Sequence, residues 1–496
     1  MSGSSTSTLP RETSSLAASS EPRPSLAELD ASCRGPLLTL FLAAVIWLVV
    51  GLFLGLLASI KLHGPGFLGD TAWLTLGRIR PAGINAILYG FASQAGLGIA
   101  IWMLCRLGAT PLCCQGAIIF STLFWNFGLL LGVAGILGGG STGFEWLELP
   151  RYASPILFAA YSVIALGALI TFHYRRERSV YVSQAYLVAA LFWFPWIYSA
   201  ANLLLVFRPV RGAMQVLVAS WFANNLLELW LTPLGLAAIF YFIPKLTGRP
   251  LYSRGLASFG FWTLAIFGSW TGLARLAGGP IPAWMISASM AANLIMLVPL
   301  LSVGLNWYLT LSGKGPNLKQ DGVMRFIRFA AVAYLLSGTG RVLIGWREVG
   351  VVTQFTYVPV ALQWLSLLGF VGMAAFGGIY YIVPRLTRVE WPSASKIRWH
   401  YLCSAAGVTL LVGSLAVAGV MQGLKLNLDT VDFVGAMRSI VPLVGLSTMG
   451  LLLLLIGQIL WLVNLVGLIH LHSAAWRKSV CDVLCEGKAS PSGGSR

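Results

Sequence analysis

The chain has 496 residues, of which 57% are hydrophobic and only 10% are charged. Soluble globular domains carry about 25% charged residues, so this composition excludes an ordinary soluble protein and indicates a chain surrounded by lipid. The formal charge of +17 would suit a nucleic-acid-binding protein. The Lys and Arg residues instead follow a membrane topology, because roughly two thirds of them fall on one side of the predicted spans. We therefore expect the lipid bilayer as a partner and no nucleic acid.

In chain order, residues 1–34 are rich in Ser, Thr, Pro and Ala, which predicts a disordered tail. Apolar runs long enough to cross a hydrocarbon core of roughly 30 Å then recur through residues 35–474, and residues 475–496 form a second, polar tail. Because lipid offers no partner for unpaired backbone groups, we interpret the runs as helices. They number about twelve, and the excess of Lys and Arg places both tails in the cytoplasm. The spans begin near residues 37, 82, 114, 152, 183, 213, 254, 283, 323, 354, 399 and 436.

Six segments carry more information than hydropathy alone: IKLHGPGFLG (60–69), LGRIRPAGINAILYGF (76–91), FWFPWIYSAANLLLV (192–206), LTPLGLAAIFYFIPKLTGRPLYS (231–253), GGPIPAW (278–284) and FGGIYYIVPRLTRVEWPSA (376–394). In order and spacing they resemble the catalytic subunit, subunit I, of C-family, cbb-type cytochrome c oxidases of the heme-copper oxidase superfamily. The resemblance implies an all-α integral membrane bundle of twelve transmembrane helices in a bacterial cytoplasmic (inner) membrane. Members of the family hold two hemes and one copper ion with histidines on four of these helices.

The heme ligands of the family are missing from the matching positions of this chain. The second span reads RPAG at residues 80–83, so that Gly83 stands where the family has a ligand of the low-spin heme. In the tenth span, counting back from IYY at residues 379–381 places Leu362 and Trp364 at the two remaining heme positions. None of these three residues has a side chain that can coordinate iron.

The copper ligands are changed as well. The first copper position is Asn224, whose amide is a poor ligand for a redox-active copper ion. The other two are Ala274 and Arg275, and Gly268 replaces the tyrosine that family members cross-link to a copper ligand. We therefore predict no catalytic residue, no bound metal and no cofactor in this chain, whose family carries two hemes and one copper.

None of the five histidines of the chain lies at a ligand position of the family. We interpret each of them as a polar residue near a membrane interface: His63, His173, His400, His470 and His472.

Two substitutions indicate how the space of the hemes is filled, since an empty cavity would be destabilising. Trp364 is expected to point toward Gly83 across the low-spin heme space. Leu362 is expected to add aliphatic volume on the high-spin side.

A charge pair is predicted at the copper position. Glu228 follows Asn224 by one helical turn, and a carboxylate inside a membrane is usually paired. We predict that Glu228 approaches Arg275, directly or through Asn224, so that the guanidinium replaces the charge of the metal. The alternative is that Arg275 reaches the nearby outer interface while Glu228 is hydrated.

Three functions are compatible with the sequence. The leading hypothesis is a degenerate homologue of the oxidase subunit with a structural, assembly or regulatory role in a respiratory complex. Its partners would be membrane-anchored cytochrome c subunits or a competent oxidase paralogue. The second is an active terminal oxidase or nitric-oxide reductase that uses unorthodox ligands. The third is a transporter that reuses the bundle, which predicts a continuous hydrated passage instead of a packed interior.

Overall fold

The computed structural model describes residues 24–312 and 322–488, and the regular secondary structure of these residues is entirely helical. Twelve of the helices in these ranges are long and apolar enough to cross a membrane, which confirms the predicted all-α membrane fold. They are α1 (Leu26–His63), α2 (Leu76–Gly108), α3 (Gln115–Leu137), α4 (Ala153–His173), α5 (Val182–Phe207), α6 (Ala213–Thr247), α7 (Arg254–Leu276), α8 (Ala283–Ser312), α9 (Gly322–Ile344), α10 (Tyr357–Thr387), α11 (Ala394–Leu426) and α12 (Phe433–Lys488).

Helix α1 begins inside residues 1–34, the segment whose composition predicts a disordered tail. The side chain of Ser25 accepts a hydrogen bond from the Glu28 amide, and the Glu28 carboxylate accepts one from the Ser25 amide. This capping box satisfies two amides at the helix start and explains why the helix begins at Leu26. The rest of the predicted tail, residues 1–23, lies outside the described residues. At the other end α12 continues to Lys488, and residues 489–496 also lie outside them.

Helices α2, α6 and α10 form the centre of the bundle. The most apolar stretches of α2 and α10 are 100% buried and that of α6 is 94% buried, whereas the other nine helices bury between 33% and 50%. The outer helices therefore present one face to lipid, and the central three are surrounded by protein. We call the side where α1 begins and α12 ends proximal, and the opposite side distal.

Each central helix contains a wide, π-helical turn near its middle. These turns span Ala86–Ala92 in α2, Leu226–Leu231 in α6 and Leu365–Gly372 in α10. In α7 the last residues, Gly268–Leu276, instead form a 3₁₀ helix. Departures of this kind within long helices are frequent at functional sites.

His400 is a core residue, which corrects its interpretation as an interfacial one. Its ring is fully buried in α11 and stacks on Trp461. Nδ1 lies 2.9 Å from the Tyr380 hydroxyl and Nε2 lies 3.0 Å from Oε1 of Gln458. Because an amide oxygen only accepts, Nε2 carries the proton and Nδ1 accepts from the tyrosine. Both ring nitrogens are satisfied, and the network links α10, α11 and α12.

Candidate functional site

Helices α1 and α2 pack backbone against backbone at Gly83. A Cβ atom added to Gly83 would lie 3.0 Å from the carbonyl oxygen of Gly51, 3.2 Å from the amide nitrogen of Gly55 and 3.2 Å from Cβ of Leu54. Even a methyl group would therefore crowd α1, and an imidazole would require the two helices to separate. The first heme position predicted from the sequence thus has no room for a ligand side chain.

Trp364 and Gly83 line the same cavity, in agreement with the expected direction of the tryptophan. The cavity has a volume of about 90 Å³. An engineered cavity of roughly 150 Å³ holds a molecule as small as benzene. The space beside Gly83 is therefore far smaller than a heme macrocycle.

Leu362, at the other heme position of α10, packs against α9. A Cβ atom added to Gly340 would lie only 2.5 Å from Cδ2 of Leu362. The leucine thus occupies the space over this glycine, as expected of a side chain that adds aliphatic volume here. The close approach depends on the glycine having no side chain.

Glu228 forms its ion pair with Arg341 of α9, a residue that is not part of the site predicted from the sequence. Nη2 of Arg341 lies 3.1 Å from Oε1 of Glu228, with 5% of the glutamate side chain and 21% of the arginine side chain exposed. Nη1 of Arg341 also donates to the Ser366 hydroxyl at 3.3 Å. The ion pair and the bond to Ser366 together link α6, α9 and α10. Ser366 follows Leu362 by one helical turn, so this link lies one turn inward of the ligand position expected in α10. The predicted pairing of Glu228 with Arg275 is wrong.

Arg275 lies at the distal end of α7 and pairs there with a loop residue. Nη1 of Arg275 is 3.1 Å from Oε2 of Glu145, both side chains are 41% exposed, and Nε donates to the Ser220 hydroxyl at 2.7 Å. The other oxygen of Glu145 accepts from Gln363 at 2.6 Å. A 3₁₀ helix rises about 2.0 Å per residue, so Arg275 lies further toward the distal surface than it would in an α-helix. Glu228 lies one turn inward of Asn224, and the two charged groups therefore do not meet.

Asn224 does not bridge the two charges. Its Nδ2 donates to the Gly268 carbonyl at 2.9 Å, and its Oδ1 accepts from the Thr271 hydroxyl at 3.0 Å. A Cβ atom added to Gly272 would collide with Cβ of Asn224. The amide is therefore committed to holding the 3₁₀ segment of α7 against α6. Ala274, beside Arg275, uses its backbone amide to bind the Ser289 hydroxyl.

One sequence signal could have identified Arg341. It lies in the apolar stretch YLLSGTGRVLIGW (334–346), and an ionisable residue inside a span usually marks a site with a buried partner. Within the described part of the chain, no group of three or more His, Cys, Asp or Glu side chains is placed to hold a metal ion.

The distal loop between α3 and α4 covers the central helices with a buried carboxyl group. Oε2 of Glu148 accepts a hydrogen bond from Nδ2 of Asn85 at 2.7 Å, and the Tyr89 hydroxyl donates to the Trp146 carbonyl at 2.6 Å. Burial raises the pKa of Glu148 to about 7, although the bond from Asn85 opposes the shift and the charge of Glu145 adds to it. The loop is thus joined to α2 at a site whose charge changes near neutral pH.

Comparisons with known proteins identify the twelve-helix bundle as the fold of subunit I of the heme-copper oxidases. The family described as cytochrome C and quinol oxidase polypeptide I matches residues 36–453, well over half of the chain. The chain belongs to this family.

Relatives in this family are distant in sequence but match over most of their length. The cytochrome c oxidase subunit 1 homolog of Azorhizobium caulinodans is 26% identical over 437 residues, which cover 84% of this chain and 79% of the relative. A cbb3-type cytochrome c oxidase subunit of Stutzerimonas stutzeri is 27% identical over 390 residues, covering 77% and 82%. These matches confirm the resemblance to cbb-type subunit I.

A solved structure of a heme-copper terminal oxidase dimer, determined by cryo-electron microscopy, has the same fold. It superposes with a TM-score of 0.69 over 88% of this chain and 84% of its own, at 14% identity. At this identity the likeness concerns the fold alone.

Proposed function

We propose that this chain is a non-catalytic member of the subunit I family, with a structural, assembly or regulatory role in a respiratory complex of a bacterial cytoplasmic membrane. The observation that carries the proposal is the state of the ligand positions. Where the family has histidines, this chain has close helix contacts and side chains whose polar groups bind other parts of the protein.

The residues at the heme positions do not fit the cofactors. A side chain at Gly83 would collide with α1, Trp364 borders a cavity of only about 90 Å³, and Leu362 is packed on Gly340. Neither the leucine nor the tryptophan offers a donor atom for iron. An active oxidase or nitric-oxide reductase with unorthodox ligands would need other donors at this level, and no observation favours that alternative.

The copper side does not fit its metal either. Both polar atoms of Asn224 are used in hydrogen bonds to α7, and Ala274 has no side-chain donor. Arg341 supplies a fixed positive charge to Glu228 one turn further inward. The negative charge of the Glu228 carboxylate is thus already matched by this guanidinium and does not serve a copper ion.

The packing of the central helices favours this proposal over a transporter. A transport path would separate α2, α6 and α10 with polar, hydrated surfaces. Instead their most apolar stretches are 94% to 100% buried. A bundle of this kind suits a protein that holds or regulates partners, such as membrane-anchored cytochrome c subunits or a competent paralogue. The excess of basic residues on the proximal side supports cytoplasmic termini.

Two experiments test the two parts of the proposal. The purified full-length protein, given a reductant and a redox mediator, is expected to consume neither oxygen nor nitric oxide above the protein-free rate. A competent cbb3-type oxidase in the same detergent is the positive control.

Deletion of the gene is expected to lower the amount of assembled competent oxidase in host membranes several-fold, and re-expression to restore it. Turnover by the purified chain, or unchanged oxidase assembly after deletion, would contradict the respective part.

A further inference from the structure

The cavity beside Gly83 has an apolar wall built from several helices. It lies between α1, α2, α10, α11 and α12. Leu411 and Leu451 at its inner end are buried, whereas Ile84 and Trp364 are partly exposed, so that the cavity leads inward from the surface of the bundle. Apolar surface of this kind favours a hydrocarbon over water.

Arg80 lies at the distal end of this cavity, where no carboxylate of the described residues forms an ion pair with it. It is exposed, lines the cavity and lies one turn from the distal start of α2. Arg78, in contrast, donates to the Leu137 carbonyl at 3.2 Å. The charge of Arg80 is therefore free to bind an anion at the mouth of an apolar cavity.

Gly55 leaves part of the wall open. A Cβ atom added to Gly55 would meet no heavy atom within 4 Å, although the same test at Gly51 and Gly83, which also line the cavity, gives contacts of 3.0 Å or less. The cavity can therefore be filled from this single position on α1 without disturbing the contact between α1 and α2.

We propose that the cavity, with its volume of about 90 Å³, holds a short segment of a few methylene groups from one acyl chain of an anionic phospholipid of the distal leaflet, with the phosphate of the lipid beside Arg80. The apolar wall accepts the chain, and the guanidinium forms charge-assisted hydrogen bonds with phosphate oxygens. A phospholipid satisfies both parts because its phosphate lies at the membrane interface and its chains extend toward the bilayer centre. This site rests on the proposed function, since a low-spin heme in the family's position would need the same space.

The test measures which lipids the purified full-length protein retains. The protein is released from vesicles of phosphatidylglycerol and phosphatidylcholine into native mass spectrometry, and bound lipids are identified by mass. We expect one retained phosphatidylglycerol and at least fivefold less phosphatidylcholine. Gly55→Leu, which fills the cavity, and Arg80→Gln, which removes its charge, should each lower phosphatidylglycerol retention at least fivefold.

Matched controls separate the cavity from general effects. Gly413→Leu adds the same side chain at an exposed glycine of α11 with nothing within 4 Å, and Arg211→Gln removes a distal surface charge away from the cavity. Both should retain lipid as the wild type does. Equal retention of the two lipids, retention of a free fatty acid instead, or no loss in the Gly55 and Arg80 variants would overturn the inference. A retained heme would overturn the proposed function as well.

Discussion

The ion pair between Arg341 and Glu228 joins two charged side chains within the membrane-spanning part of the bundle. Taking both charges out of water is costly, and their attraction offsets this cost only while both partners are present. The bond from Arg341 to Ser366 holds the guanidinium in place between α6 and α10. Loss of one partner therefore affects the protein far more than loss of both.

We predict that Arg341→Met lowers the free energy of unfolding by about 3–5 kcal/mol, because it leaves a buried carboxylate without its partner. The double variant with Glu228→Gln should recover most of this loss. Arg275→Met is the control, since its pair with Glu145 is 41% exposed on both sides and should contribute less than about 1 kcal/mol. Thermal or denaturant unfolding in detergent measures all three. Equal losses in the Arg341 and Arg275 variants would contradict the account.

Glu148 gives a second prediction at this scale, which concerns pH. Its pKa is raised from 4.5 to about 7 in the folded protein by burial, so the unfolded chain releases this proton first as pH rises. Stability should therefore fall between about pH 4.5 and 7 and level off above, by about 3 kcal/mol for this group. Glu145, whose charge adds to the rise of this pKa, is present in both the wild type and the Glu148 variant. Glu148→Gln should remove this part of the pH dependence in unfolding measured from pH 5 to 8, and an unchanged slope would refute the shift.

The sequence could supply the residues of the site but not their pairings. Glu228 was identified because an acidic residue in an apolar span is unusual, and the same argument applies to Arg341. Which arginine Glu228 contacts depends on the packing of α9 against α6 and on the 3₁₀ pitch of α7. The hydropathy pattern predicts neither of these two features. His400 was misassigned for the same reason, because its polar partners come from α10 and α12.

At the scale of elements, hydropathy was sufficient for the twelve spans, since their length and apolar character determine whether they can cross a membrane. It did not predict the π turns of α2, α6 and α10 or the 3₁₀ end of α7. These turns begin shortly after Gly83, Asn224 and Trp364, so the backbone is irregular beside the positions whose side chains differ from those of the family. Their position depends on contacts between helices.

The contact between α1 and α2 provides a prediction for these two elements. We expect Gly83→Ala to lower the free energy of unfolding by about 1–3 kcal/mol through overpacking, because the added methyl group would meet the α1 backbone. Gly55→Ala, on the opposite helix, should be neutral or slightly stabilising, because nothing lies within 4 Å of the added atom and alanine favours helix. Thermal unfolding of the two variants compares them directly. A harmless Gly83→Ala would show that α1 can move aside, and would weaken the argument against a ligand there.

For the whole molecule, the family fold spans residues 36–453 while the positions that carry its chemistry have different side chains. A scaffold can outlast its active site, because stability depends on the whole core and activity on a few groups. The resemblance of six sequence segments was enough to identify the family and the altered positions. The sequence could not show whether the helices around those positions had closed, which requires the distances at Gly83, Gly340 and Asn224.

The most direct test of the account is a reduced-minus-oxidised absorbance spectrum of the purified full-length protein, with iron and copper analysis of the same sample. The account predicts no heme bands and far less than one iron or copper atom per chain. Clear b-type heme bands at one heme or more per chain would contradict it, and would require ligands other than those at the family positions.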